Sequence, residues 1–157
     1  MAACTSVAAS TMLLLRTNCN TNDVPMGTTT SGNLVNDINS GKLPETGMMV
    51  PDLCNDAHDC SLGTADTWLK GWLPKLMAGP DYASGKLTII VTFDEDDSSA
   101  GNNVAFVVVD PRLNNAHKIV TTNSTHYSMT RWYDQNVGAP LLRNASTAAD
   151  LKGGFGL

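Results

Sequence analysis

The stretch "KLTIIVTFDEDD", Lys86–Asp97, indicates the fold class of this chain better than any other. β-branched and aromatic residues fill it as far as Phe93 without strict polar alternation, which is typical of a strand buried on both faces. The stretch "NNVAFVVVDP", Asn102–Pro111, has the same character. Two such strands among helical segments predict an α/β protein, a three-layer α/β/α sandwich with a mostly parallel sheet.

Three segments place apolar residues at helical spacing, and two shorter segments predict a strand and a loosely ordered tail. The helical segments are "SGNLVNDINSGKLP" (31–44), "TADTWLKGWLPKLMAGPDY" (64–82) and "THYSMTRWYDQNVG" (125–138). The second should start near Thr64 and stop at Gly79, with Pro74 kinking or shortening it. We expect "GMMVPD" (47–52) to form a short buried strand and the tail "STAADLKGGFGL" (146–157) to be loosely ordered.

Composition excludes several classes of protein. With 157 residues the chain fits one domain, and 42% hydrophobic residues against 16% charged ones are typical of a globular protein. A net charge of −5, with only ten Lys and Arg, gives no basic surface for nucleic acid. No apolar run reaches the roughly 20 residues that span a bilayer, and the first residues lack the basic start of a signal peptide.

Two of the four cysteines stand six residues apart in "VPDLCNDAHDC", Val50–Cys60. Cys54 and Cys60 could close a small loop, which favours an oxidising compartment, or the spacing could occur by chance in a cytosolic chain. We favour the bridge. Partners for Cys4 and Cys19 do not follow from the sequence.

Acidic residues follow the predicted strands. In open α/β sheets the ligand site lies beyond the carboxyl ends of the strands. Asp94 and Glu95 directly follow the first strand and Asp110 follows the second, so carboxylates would meet in a pocket suited to a divalent cation. The alternative is a solvated acidic turn, which is the usual fate of a charge run. Asp96 and Asp97 are expected to belong to the loop.

The histidines permit more than one role. His58 could be a structural residue held by Asp56 and Asp59, or a member of the pocket. His126 fits equally a helix N-terminal cap region and a phosphate or metal contact, whereas His117 lies in a polar loop. The chain contains no Walker loop, GxGxxG, GxSxG or HExxH motif. No serine or threonine occupies a recognisable nucleophile turn.

An ordered series of motifs resembles the bacterial phosphoesterase family of the alkaline phosphatase superfamily, which includes acid phosphatases, phosphatidylinositol-3-phosphatase-like enzymes and phospholipases C. The series comprises "NDVPMG", the long stretch from "SGNLVNDINSGKLP" through "DLCNDAHDC" to "VTFDEDD", then "NNVAFVVVDP" and "THYSMTRW". It covers the chain from about Asn18 to about Leu142. We expect residues 1–17 to match nothing and residues 18–157 to form the C-terminal half of a phosphoesterase domain.

The resemblance implies a metal-dependent phosphoester hydrolase in which a hydroxyl attacks phosphorus. It implies that Asp94 and Glu95 are metal ligands, that His58 lies near the phosphate, and that His126 is a catalytic histidine. Many relatives have glycines where this chain has Asp96 and Asp97, and an aspartate where it has Thr125.

The family's nucleophile and first metal ligands lie in an N-terminal region that has no counterpart here. The first hypothesis is therefore a truncated form of a secreted or periplasmic phosphatase or phospholipase C-like enzyme, inactive alone, whose substrates are small monoesters or phospholipid headgroups. The second hypothesis is a non-catalytic metal-binding or interaction module derived from the same fold.

Overall fold

The structure, a computed structural model, describes residues 21–113 and 117–157. These residues form two compact units. The first unit comprises residues 21–42 and Met48–Gly79, and the second comprises Leu43–Gly47 and the described part of Pro80–Leu157. Helices and strands are both present, which confirms the mixed α and β character. Among the described residues no helix is long and apolar enough to cross a bilayer.

Helix α1, Asn33–Ser40, packs against α2 in the first unit. It buries Val35 and Ile38, and it ends at Gly41, which has a left-handed conformation with φ 62° and donates its N–H to the last turn. Glycine adopts this conformation without a steric penalty. The predicted helix and its stop are confirmed.

Helix α2, Leu62–Ala78, begins two residues before the predicted start, and Ser61 is its N-cap. The Ser61 side chain accepts a hydrogen bond from the Thr64 N–H, which satisfies one of the free donors of the first turn. Pro74 lies inside the helix and does not end it, so of the two predicted effects, kinking or shortening, the shortening does not occur. The buried side chains of Trp72 and Leu76 anchor the helix on either side of Pro74.

The second unit contains the short helix α3, Pro80–Ala83, and strands β1, Ile89–Thr92, and β2, Phe106–Val109. The strands pair antiparallel, with Ile89 opposite Val109 and Thr92 opposite Phe106. The expected parallel sheet is therefore wrong for this pair. Residues 93–105 connect the strands without a helix, whereas a parallel pair needs a longer crossover, usually helical.

Two further strand predictions are wrong within the described residues. Residues 47–50 are not in a strand. The strands are also not buried on both faces, because Val107 of β2 is half exposed. A sheet of two strands, each four residues long, leaves its outer edges without a neighbouring strand. The apolar composition of a strand alone cannot show which of its faces is covered.

Helix α4, His126–Asn136, agrees with the predicted helix, and its Trp132 is almost fully buried. The tail is ordered, contrary to expectation. A 3₁₀ turn, Arg143–Ser146, leads into it, and it contains helix α5, Leu151–Phe155. Ala145 and Leu151 are buried, and the rings of Trp132 and Phe155 lie 6.1 Å apart. These buried contacts hold the tail on α4.

Candidate functional site

Asp94 and Glu95 follow β1 after a single intervening residue, Phe93. Both are exposed, and the Asp94 Oδ1 accepts a hydrogen bond from the Glu95 N–H at 3.0 Å. The end of β1 therefore presents two carboxylates to solvent, where a cation or a phosphoester could approach them.

Asp96 organises the loop that follows. Its Oδ2 accepts the N–H groups of Ala100 and Asn102, both at 2.8 Å, and its Oδ1 accepts that of Ser98 at 2.9 Å. The hydrogen bond from the Asn102 backbone, helped by those from Ser98 and Ala100, lowers the pKa of the Asp96 carboxyl. A glycine has no side chain to make these bonds, so Asp96 braces the loop.

His126 lies against the end of β1. Its ring Nε2 is 2.8 Å from the backbone carbonyl oxygen of Asp94. A carbonyl oxygen only accepts hydrogen bonds, so Nε2 must carry the proton and Nδ1 of the neutral ring keeps its lone pair. A histidine fixed in this way by a backbone carbonyl is suited to bind a cation or accept a proton through its other nitrogen.

Thr125 is the N-cap of α4. Its hydroxyl accepts the Tyr127 N–H, and the Ser128 side chain accepts the Thr125 N–H in return, which completes a capping box. The cap places His126 in the first turn of the helix, so the two roles expected for this histidine do not exclude each other.

His58 lies in a stapled loop of the first unit. A disulfide joins Cys54 and Cys60, with the Cα atoms 4.7 Å apart, as predicted. The His58 Nδ1 contacts the Asp59 Oδ1 at 2.8 Å, and the side chain is 71% exposed. The Asp56 Oδ1 accepts the backbone N–H of His58 at 2.8 Å.

Other polar groups also shape this loop. The Asp52 Oδ1 accepts the N–H groups of Cys54 and Asn55, and Ala57 adopts a positive φ of 73°. Together with the disulfide, these features fix the backbone conformation of the loop that contains His58. No cysteine in the described part of the chain is free.

Asp110 does not contribute to an acidic pocket with Asp94. Because β1 and β2 are antiparallel, the residues that follow them lie at opposite ends of the sheet. Asp110 is buried and paired: its Oδ1 accepts the Nε of Arg112 at 2.9 Å, and its Oδ2 accepts the Arg112 Nη2 at 2.6 Å. The Thr88 hydroxyl also donates to the Oδ2.

The electrostatics of this pair are those of a structural ion pair. Burial acts to raise the pKa of the Asp110 carboxyl, but the hydrogen bonds and charge of Arg112, with the bond from Thr88, outweigh it and lower that pKa. The same pairing raises the pKa of Arg112. Sequence reasoning assigned Asp110 to a cation pocket and missed the arginine two residues later.

The described residues do not by themselves make a complete metal site. Asp94, Glu95 and His126 belong to the second unit and His58 to the first. Across residues 21–113 and 117–157, no group of three or more His, Cys, Asp or Glu side chains is placed to hold one ion. Any metal bound by Asp94 and Glu95 would need further ligands. His117 is exposed and lies outside the helices and strands.

Sequence comparisons connect the chain to phosphatases. It is 28% identical over 118 residues to an acid phosphatase of Aspergillus fumigatus, a match covering 73% of this chain and 26% of that protein. It is 30% identical over 112 residues to the phosphatidylinositol-3-phosphatase of Mycobacterium tuberculosis, a match covering 69% of this chain and 35% of that protein. It is also 30% identical over 121 residues to an acid phosphatase of Aspergillus niger, which covers 73% of this chain and 28% of that protein.

The chain thus spans roughly a quarter to a third of the length of these relatives. No solved structure matches it. The model of the phosphoesterase family matches residues 7–105, which is more than half of the chain. The protein therefore belongs to the phosphoesterase family.

Proposed function

We propose that this chain is part of a phosphoester hydrolase of the acid phosphatase or phospholipase C-like type. Asp94 and Glu95 would serve as metal ligands, and His58 and His126 would act beside the phosphate. The observation that carries the proposal is the contact between His126 and the Asp94 carbonyl. This contact joins the motifs "VTFDEDD" and "THYSMTRW" at the end of β1, between two residues that are 32 positions apart in the sequence.

The chemistry assigned to these residues follows from their protonation and exposure. The exposed carboxylates of Asp94 and Glu95 are hard oxygen ligands, and a divalent cation held there would stabilise negative charge on phosphoryl oxygens. His126 would offer its Nδ1 lone pair to the same region. The Cys54–Cys60 disulfide supports a secreted or periplasmic protein, because such bridges persist in oxidising compartments.

The nucleophile, in this proposal, comes from a region of the domain that this chain does not contain, and so do the other metal ligands. The mostly parallel three-layer sandwich is proposed for that whole domain, with residues 18–157 as its C-terminal half. Membership of the family and the partial coverage of its relatives support this division. The isolated chain is expected not to hydrolyse phosphoesters.

The first experiment tests the isolated chain. Purified protein is assayed with p-nitrophenyl phosphate, with and without Mg²⁺, Mn²⁺ or Zn²⁺, and no metal-stimulated hydrolysis is expected. Metal-dependent turnover that Asp94→Ala abolishes would refute the division of the site while supporting the residue assignment.

The second experiment tests the assigned residues in a complete domain. The chain replaces the aligned segment of the Mycobacterium tuberculosis phosphatidylinositol-3-phosphatase, and hydrolysis is measured. Asp94→Asn and Glu95→Gln should each lower kcat/KM by about a hundredfold or more, as loss of a transition-state contact does. Asp97→Asn is the matched control and should leave activity unchanged. Equal activity of the Asp94 and Asp97 variants would contradict the assignment.

The alternative function is a metal-binding module without catalysis. The exposed carboxylate pair would favour it, and the lack of a three-ligand group among the described residues weighs against it. Calorimetry of the isolated chain with divalent cations separates the two. Micromolar binding abolished by Glu95→Gln would support the module, and no binding would count against it.

A further inference from the structure

The second unit contains a cleft at the end of the sheet opposite to Asp94. Its volume is about 450 Å³, within the roughly 300–1,000 Å³ of small-molecule sites. Its walls are the segment Leu43–Gly47, the residues at the start of β1, and side chains of α4 and α5. Asp94, Glu95 and His126 do not line it. The cleft is therefore separate from the candidate site described above.

Three basic side chains line the cleft, out of only ten lysines and arginines in the chain. Arg112 is anchored through its Nε and Nη2 by Asp110, and its Nη1 donates no hydrogen bond within the part of the chain that the structure describes. Lys152 donates from Nζ to the Asn136 Oδ1 at 2.8 Å and retains further N–H groups. Lys86 is exposed at the rim. Arg112 and Lys152 are thus held in place by the protein, and all three side chains still have N–H groups that can donate to a ligand.

Aromatic side chains form another part of the wall. Tyr133 is half-buried, and its hydroxyl makes no hydrogen bond to any residue that the structure describes. Burial raises the pKa of this phenol, so the hydroxyl stays protonated and able to donate. Leu43 and Leu87, which are partly exposed, add apolar surface beside it. A ligand would thus meet donors and an apolar wall together.

Two carboxylates also line the cleft. The Asp81 Oδ2 accepts the Leu43 N–H at 3.2 Å, so this carboxylate helps to hold the wall. Glu45 is exposed and has no partner among the described residues. Its charge opposes an anion, so affinity must come from directed hydrogen bonds, which are strongest when a charged group takes part.

We propose that this cleft binds a small organic anion, a phosphate or carboxylate attached to an apolar body. Lys86, Lys152 and the Tyr133 hydroxyl donate to the anion, and Leu43 and Leu87 contact the apolar body. Arg112 contributes its free Nη1. The cleft would be a second ligand-binding site of the protein, and this proposal does not depend on the proposed hydrolysis.

Calorimetric titration of the purified chain at low salt tests the site. The probes are benzylphosphonate, whose C–P bond a phosphoester hydrolase does not cleave, together with benzoate and benzyl alcohol. Benzylphosphonate or benzoate should bind at submillimolar to millimolar concentration, and the stronger of the two identifies the anion. Benzyl alcohol should bind at least tenfold more weakly, since it lacks the charge. No binding of either anion at 10 mM, or equal binding of the alcohol, would overturn the proposal.

Variants locate the binding. The double variant Lys86→Met/Lys152→Met should weaken anion binding about tenfold or more, as expected for the loss of charged hydrogen bonds. Tyr133→Phe should weaken it about threefold, as expected for the loss of a neutral one. Glu45→Gln should strengthen it, because an opposing charge is removed. Lys70→Met/Lys75→Met, at two lysines of α2 that do not line the cleft, makes the same change in net charge. An equal loss in that control would show non-specific attraction and overturn the site.

Discussion

The ring Nε2 of His126 lies 2.8 Å from the backbone carbonyl oxygen of Asp94, so the first residue of α4 is tied to the end of β1. The contact involves the main chain of Asp94 and leaves its carboxylate exposed. One hydrogen bond therefore orients the histidine without neutralising the acid beside it. This arrangement keeps both groups available for a ligand.

The contact predicts a single tautomer for His126. In NMR spectra recorded where the imidazole is neutral, its Nε2 should carry the proton and show an exchange-protected signal, because the proton is held by the Asp94 carbonyl. The exposed ring of His117 provides the comparison and should show no protected N–H. A proton on Nδ1 of His126 would contradict the geometry.

Asp96→Gly, which removes the side-chain acceptor, should loosen the loop after Glu95. The amides of Ser98, Ala100 and Asn102 lose their acceptor, so their hydrogen exchange should accelerate several-fold. Asp97→Gly is the matched control and should affect chiefly Ser99, whose N–H and hydroxyl bind Asp97. Unchanged exchange in the Asp96 variant would show that the carboxylate does not brace the loop.

The helices were predictable because their signals are local. Apolar spacing and stop residues predicted α1, α2 and α4, and Trp72, Leu76 and Trp132 of these helices are buried. The direction of the sheet was not predictable in this way, since a run of apolar residues carries no information about its partner strand. The helix-free connection 93–105 was the available clue.

The candidate site was only partly predictable, for the same reason. Its residue types followed from the strand ends and the family motifs, but the grouping of Asp110 with Asp94 assumed parallel strands. The sequence "DPR" at 110–112 contains the arginine that neutralises Asp110. The contact of His126 with Asp94 spans 32 residues and involves a backbone carbonyl, so no side-chain pattern could show it.

Thr125→Ala should destabilise the protein by about 1 kcal/mol, the typical loss for an N-cap. Thr125→Asp should retain the cap and leave stability within about 0.5 kcal/mol of the parent, since aspartate also accepts a first-turn N–H. Urea unfolding measures both, with the exposed Thr122→Ala as control. An aspartate variant as unstable as the alanine variant would exclude capping as the reason for the residue.

Leu151→Ala should destabilise the protein by about 2–3 kcal/mol, because removal of a buried leucine side chain loses its burial energy and leaves a cavity. Leu151 is 6% exposed, whereas Leu142 is 60% exposed and provides the matched control. Leu142→Ala should cost less than about 0.5 kcal/mol. Similar unfolding midpoints in urea for the two variants would mean that α5 does not contribute to the core of the second unit.

Asp110→Asn should destabilise the protein by about 2–4 kcal/mol at neutral pH, because Arg112 and Thr88 then face a neutral group at a buried position. The pKa of Asp110 is lowered in the folded state. Its contribution is therefore complete above the unfolded-state pKa of about 3.9 and is lost as the pH falls through the folded value.

The difference in unfolding free energy between parent and Asp110→Asn should accordingly be constant from pH 7 to pH 5 and shrink below pH 4. Urea unfolding at each pH measures it, and the subtraction removes the effects of Asp96 and Asp150, whose pKa values are also lowered. Asp97→Asn, at an exposed carboxylate, should show no such trend. A gap that widens toward low pH would mean that the Asp110 carboxyl binds its proton more readily in the folded protein, contrary to its pairing with Arg112.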